Sequence, residues 1–319
     1  MSGNTGEKNA RGIAGAANPA RRDLRAMLLM TRRGLKIFLK DRASVFFSLL
    51  APLIILLLYV LFLGDVQISS LESAFAESGL ARGDIRAFVD GWMIAGVMSV
   101  ACITVSYSAN SVMVQDRARG VLNDSLASPV RRQAITASYF LYNYAVTVVI
   151  CMLVLAVCVA YLCVSGGFFL TAADVCAAAG ITLLSALSAT MITVFAAGFL
   201  KTEAALSASG GILSAVIGFA IGAYMPISMF PLAVQRLILC VPGTYSAGLY
   251  RNCFMRGALD NLALPPEAAV ELETAYSMRL EFFGLSVPLW AMAAVLAGSA
   301  ALFLALSMVF SFRRKKGGQ

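Results

Sequence analysis

The chain has 319 residues, of which 60% are hydrophobic, 13% are charged and none is histidine; its net charge is +8. Soluble domains carry roughly 25% charged residues, so this composition excludes an ordinary globular enzyme and a largely disordered chain. Without histidine there is no Ser-His-Asp triad, Cys-His dyad or HExxH zinc motif, and the sequence has no Gly-rich phosphate loop ending in lysine.

In chain order, residues 1–21 read as a disordered cytoplasmic tail. Residues 22–44 read as an amphipathic interfacial elbow helix. Leu24, Met27, Leu28, Thr31, Leu35, Phe38 and Leu39 repeat at helical spacing, and Arg22, Arg25, Arg32, Arg33, Lys36 and Lys40 fill the other side. The chain should turn into the membrane near Asp41 to Ser44. Residues 45–312 form a transmembrane domain with apolar spans at about 45–63, 91–114, 135–164, 175–200, 204–223 and 285–312. Each is long enough to cross a hydrocarbon core of about 30 Å. An open chain satisfies its backbone polar groups in lipid only as helix. The expected fold class is therefore an all-α polytopic membrane protein with six transmembrane helices and both termini cytoplasmic. Residues 313–319 are a basic cytoplasmic tail.

Every Lys, Arg, Asp and Glu falls at or beyond the edges of these spans. Segments 1–44, 115–134, 200–206 and 313–319 together carry +13, and the remaining segments carry −5. Cationic loops resist translocation, so this asymmetry places the basic segments inside. The basic balance is thus a topology signal and implies no nucleic-acid partner. Spans without formal charge also argue against an ion-coupled carrier, which keeps an ionisable group on its pathway.

Between spans two and three, residues 115–134 form a coupling loop. Gly120 lets the helix relax, Val121, Leu122 and Leu126 make a short apolar face turned to the cytosol, and Ser128-Pro129 ends it. That face needs either a partner or a place against the protein's own elbow. Span two is rich in hydroxyl and amide groups, among them Ser99, Thr104, Tyr107, Ser108 and Asn110, which suit either interhelical bonding or a substrate pathway. Gly211, Gly218 and Gly222 in span five suit close helix packing, with a GxxxG at 218–222. Tyr224, Met225 and Pro226 break that span at the outer surface, and Pro231 and Pro242 keep it from resuming. In the outer segment 224–284, Cys240 and Cys253 fit either a disulfide or two free thiols, and Pro266–Phe283 reads as a short surface helix.

Arg119-Gly120-Val121-Leu122 followed by Leu126-Ala127-Ser128-Pro129-Val130 resembles the cytoplasmic loop of ABC-2 type transporter permeases. A second stretch is similar to that family's outer segment: Met225-Pro226-Ile227-Ser228, then Pro231, Pro242, Thr244-Tyr245 and Leu249-Tyr250-Arg251. The similarity covers about residues 22–316. Ala118, Asn123 and Gln133 depart from it, standing where the family commonly carries acids. The resemblance implies a non-enzymatic permease subunit of a bacterial drug- or antibiotic-export-like transporter in the plasma (inner) membrane. A second permease chain, identical or paralogous, and a separate ATPase subunit would be its partners. That subunit, not this chain, would bind ATP and Mg. The resemblance further implies ATPase coupling through Arg119, Gly120, Leu122, Leu126, Ser128, Pro129 and Arg131, and a substrate path along span two. Tyr224, Met225, Pro226, Pro231, Pro242 and Tyr245 would form an outer gate. The cargo expected of a neutral, hydroxyl-lined route is lipophilic or amphipathic. The alternative is an ATP-independent secondary carrier or channel.

Overall fold

Six apolar runs become helices long enough to cross a membrane, and they pack around one of their number. The computed structural model describes residues 19–75, 80–282 and 285–313. Of the expected tails 1–21 and 313–319, residues 1–18 and 314–319 lie outside the described residues, and residues 19–21 and 313 are helical rather than tail.

Helix α1 (Pro19–Lys40) is the elbow. Its periodicity resolves into three faces. Asp23, Thr31, Gly34 and Phe38 are buried against the protein, Leu24, Leu28 and Leu39 are exposed apolar residues, and Arg22, Arg25, Arg32 and Lys36 face outward. Gly34 admits the Tyr142 ring so closely that a Cβ would lie 2.9 Å from it. The expectation that one stripe carries the whole apolar face is corrected here: Leu24, Leu28 and Leu39 lie off the stripe that packs on the protein. Asp41 interrupts the helix and caps α2 (Arg42–Leu58), accepting from the Ser44 hydroxyl at 2.6 Å and its N–H at 3.2 Å. Those hydrogen bonds hold the Asp41 carboxyl below its ordinary range.

α2 contains Pro52, runs through a π-helical turn (Tyr59–Leu63) and continues as α3 (Gly64–Ala74). The first span thus extends well beyond residue 63. α4 (Arg82–Ala109) and α5 (Ser111–Ala118) form the second span and the centre of the bundle, 94% buried over their most apolar stretch. α6 (Val121–Ala127) is the loop helix. α7 (Arg132–Ser165), α8 (Ala172–Ala197) and α9 (Glu203–Ala220) follow. α10 (Leu232–Ile238), α11 (Pro242–Phe254), α12 (Arg256–Asn261) and α13 (Pro266–Ala275) are short, and α14 (Leu289–Arg313) is the last span.

Two expectations fail between α13 and α14. The surface helix anticipated over Pro266–Phe283 stops at Ala275, and β1 (Leu280–Phe282) pairs antiparallel with β2 (Leu285–Val287), Leu280 opposite Val287. The sixth span therefore starts at Leu289 rather than 285. Pro288, which lacks an N–H, accepts the first helical bonds from Ala291 and Met292.

The basic segments meet at one end. There Arg33 binds Asp116, Arg131 lies 3.4 Å from Asp23, and Arg119 lies 4.0 Å from Glu203. At the opposite end Asn261 donates to Asp84 at 2.7 Å and Arg82 lies 3.3 Å from Glu72.

Candidate transport pathway and coupling loop

After α9 the chain does not stay at the surface. Gly243 O, in the first turn of α11, accepts from the buried Ser99 hydroxyl at 2.8 Å, whereas a Cβ on Gly91 would meet Phe254 O at 2.8 Å. α11 thus begins beside the middle of α4 and climbs toward the acidic end, a re-entrant helix packed on α4, α8 and α14. The turn that feeds it is tight. α9 ends at Ala220, Gly222 takes φ +69°, and Tyr224 folds back on Gly218, whose face leaves no room for a Cβ beside the ring. Gly222 therefore sits in the turn rather than on a helix face with Gly218. Gly211 is exposed, with open space beside it.

Beneath the start of α11 lies a cavity of about 250 Å³ walled by α4, α8, α9 and α14. Ser99 and Tyr107 line it with Ser185, Ser188, Thr193 and Ser246, and Val241, Pro242 and Gly243 form its roof. No charged side chain lines it among the described residues. Most of its hydroxyls are already paired. The Ser185 and Ser246 oxygens are 2.7 Å apart, those of Ser188 and Ser299 2.7 Å, and those of Tyr107 and Ser209 2.5 Å.

Thr104 and Asn110 turn elsewhere. Thr104 donates to Val100 O, and Asn110 Nδ2 to Ser106 O and Tyr107 O, so both are bonded to their own helix. Ser108 is half-buried and does not line the cavity. At the roof, Tyr245 donates to Leu239 O at 2.9 Å, Pro242 opens α11, and Pro231 is exposed at the head of α10. Pro226 is buried and Met225 half-buried. Cys240 and Cys253 are free thiols; Cys253 lies 3.0 Å from Asp174 O.

The sequence reading missed two features. Asn143, a lone amide in the third apolar run, accepts from Ser106 at 3.0 Å and Thr147 at 3.2 Å and donates to Ser106 O at 2.9 Å, tying α7 to α4. Arg251 is 0% exposed, although the linear pattern assigns it to an outer loop. Its Nη2 donates to Gly222 O at 2.6 Å and Ile221 O at 3.1 Å, the free carbonyls where α9 ends. Nε and Nη1 are buried without an acceptor among the described residues. With Asp90, 1% exposed, Arg251 puts formal charge inside the bundle, and the expectation of an interior free of charge is corrected accordingly.

At the basic end the loop is built on Gly120, whose φ of +78° disfavours a side chain and turns the chain between α5 and α6. Arg119 is exposed, Ser128 donates to Ser125 O at 2.6 Å, Pro129 is exposed, and the Arg131 N–H donates to Asp23 at 3.4 Å. Leu126's side chain lies outside the described residues. Leu122 does not face outward: it is half-buried and packs on the cluster of Met113, Ile135, Tyr139, Phe140, Val194 and Ala197. An apolar side chain next to an unfilled core face buries itself there, which corrects the expectation at this position; Asn123, Asp124 and Ala127 are the exposed residues of α6 among those described.

Two ionic anchors hold this loop. The Asp116 carboxylate takes both terminal nitrogens of Arg33 at 2.7 Å and the Tyr139 hydroxyl at 2.8 Å. The pairing holds Arg33 above the ordinary guanidinium range. Arg117 Nη1 donates to Ala197 O, Gly198 O and Leu200 O, joining α5 to the end of α8.

No curated protein matches the chain. The family model described as ABC2_membrane, ABC-2 type transporter, matches residues 25–255. That stretch runs from the elbow to the end of the re-entrant helix and leaves out α12, α13, the hairpin and α14. With more than half of its length matched, the chain belongs to the ABC-2 type transporter family, as a non-catalytic, multi-pass transmembrane permease.

Proposed function

We propose that this chain is the permease subunit of an ATP-driven exporter that moves lipophilic or amphipathic small molecules, such as drugs, antibiotics or lipids, out across a bacterial inner membrane. It pairs with a second permease chain, and a separate ATPase docks on the 115–134 loop from the cytoplasmic side. The cavity under α11 is the observation that carries the cargo reading: an aliphatic and hydroxyl wall without charge accepts an apolar molecule and offers nothing to a metal ion or an anionic polymer. Its volume is below the roughly 300–1,000 Å³ of drug-sized sites, so passage requires α9 and α11 to part. ATPase dependence is supported by the family match and by a loop fastened through Asp116 and Arg117 to α1, α7 and α8, able to transmit displacement to each.

Vesicles containing the permease and its ATPase test this reading. A lipophilic dye should move only with ATP, whereas equal movement without ATP would establish the carrier or channel alternative. On the docking surface, Asp124→Arg should lower permease-stimulated ATP hydrolysis about tenfold, the effect of reversing one charge in a contact worth about 1.4 kcal/mol, without changing the melting temperature. Undiminished stimulation would remove α6 from the contact.

A further inference from the structure

The end of the bundle that gathers the basic segments holds a second pocket, of about 190 Å³, open on one side and bounded by α5, α6, α7, α8 and the end of α14. Its inner wall is apolar and aromatic, with Leu122, Ile135, Phe140 and Phe195. Phe195 meets Phe303 of α14 edge-on, centroids 5.4 Å apart. The charged groups lining it are two guanidiniums, Arg117 and Arg132, with no carboxylate among the described lining residues. Arg117 is held by the carbonyls that end α8. Arg132 is exposed, opens α7, and has no ion-pair partner among the described residues.

Along α7, Arg132 and Phe140 are eight residues apart, a climb of about 12 Å. A cation at the bottom and aromatic rings at the top thus span the boundary between headgroups and hydrocarbon. A free phosphate would satisfy Arg132 and leave the aromatic wall uncovered. A neutral lipid would cover the wall and leave Arg132 without a counter-charge at the rim. A molecule with a negative headgroup and an acyl chain does both, and basic pockets between membrane helices on the cytoplasmic side take such lipids.

We propose that this pocket binds one anionic phospholipid, its phosphate at Arg132 and one acyl chain between Leu122 and Phe195. The lipid would then form part of the seat of α6. The assignment of the inner leaflet rests on the orientation given above, but the binding itself requires neither ATPase nor cargo, so the two readings can fail separately.

Native mass spectrometry of the full-length protein decides it, using phosphatidylglycerol and phosphatidylcholine with identical acyl chains and glycerol 3-phosphate as a soluble competitor. One phosphatidylglycerol should be retained about tenfold more strongly than phosphatidylcholine. Arg132→Gln should abolish that preference without altering the melting temperature, and Thr136→Trp, which fills the pocket, should expel the lipid. If Thr136→Trp does not fold, crosslinks from a photoactivatable acyl chain should fall on α6, α7 or α8. Equal retention of the two lipids, a preference that survives Arg132→Gln but is lost in Lys36→Gln/Lys40→Gln, or crosslinks confined to α1 would overturn the proposal. So would displacement by equimolar glycerol 3-phosphate, which would mark a site for the free phosphate.

Discussion

Arg251→Met is expected to abolish transport while leaving the melting temperature within a few degrees of the parent protein. The two energetic terms oppose each other. A guanidinium held away from water costs several kcal/mol, and methionine removes that cost with similar volume. Against it, Ile221 O and Gly222 O lose their donor, at about 1–3 kcal/mol for each acceptor left unpaired. With little net stability at stake, the residue is kept for what it joins: the end of α9 and the re-entrant helix that roofs the cavity. Arg251→Lys should fail as well, because one ammonium lacks the planar fork that reaches two carbonyls. Thermal melts beside vesicle transport separate the possibilities. Full transport in Arg251→Met would end the gating role, and a collapse in melting temperature would make the residue a structural staple.

The second large effect is expected at Asp116. Asp116→Ala removes the acceptor for Arg33 and for the Tyr139 hydroxyl together. Breaking a fully buried pair costs about 3–5 kcal/mol and an exposed one less than about 1 kcal/mol. The Asp116 side chain is 6% exposed and that of Arg33 42%, so the loss lies between these limits, near 2 kcal/mol. The elbow should then lift from α7, which protease cleavage within α1 would report, and ATPase stimulation should fall with it. A protected elbow and full stimulation in the variant would show that the loop is positioned by the Arg117 anchor and Leu122 packing without Asp116.

Six spans were legible because a run of apolar residues in lipid has one way to satisfy its backbone; α7 and α8 meet that expectation with little correction, whereas the second span, expected at 91–114, runs from Arg82 to Ala118. Depth was not legible. Arg251 stands in a polar stretch on the linear pattern, and only the approach of α11 to Gly91 and Ser99 carries it into the bundle. Facing was ambiguous wherever an element is short: Val121, Leu122 and Leu126 make an apolar edge that fits an outside partner or the chain's own core, and the neighbouring Met113–Ile135 cluster takes Leu122. Leu285–Val287 belongs to an apolar run by composition, yet Pro288 starts the helix behind it and leaves those residues to pair with β1. Of the pathway residues, Ser99 and Tyr107 reach the cavity; the side chains of Thr104 and Asn110 bond back to α4, a choice of rotamer that spacing does not encode.

α9 is gripped at its tips and bare along its flank. One tip holds Thr202, capping Ala205 N, beside the Arg117 anchor on Leu200 O; the other rests on Arg251. Between them Ile212 and Val216 are exposed, and the Tyr107–Ser209 contact is the polar link to α4 among the described residues. A rod journalled like this resists sliding and yields to twist, so torque entering at one bearing emerges as roll at the other. Spin labels at Ser207 and Val216, which are exposed on opposite edges of the bare flank, should therefore change accessibility in opposite senses during turnover, whereas a uniform change at both would mean that the rod translates.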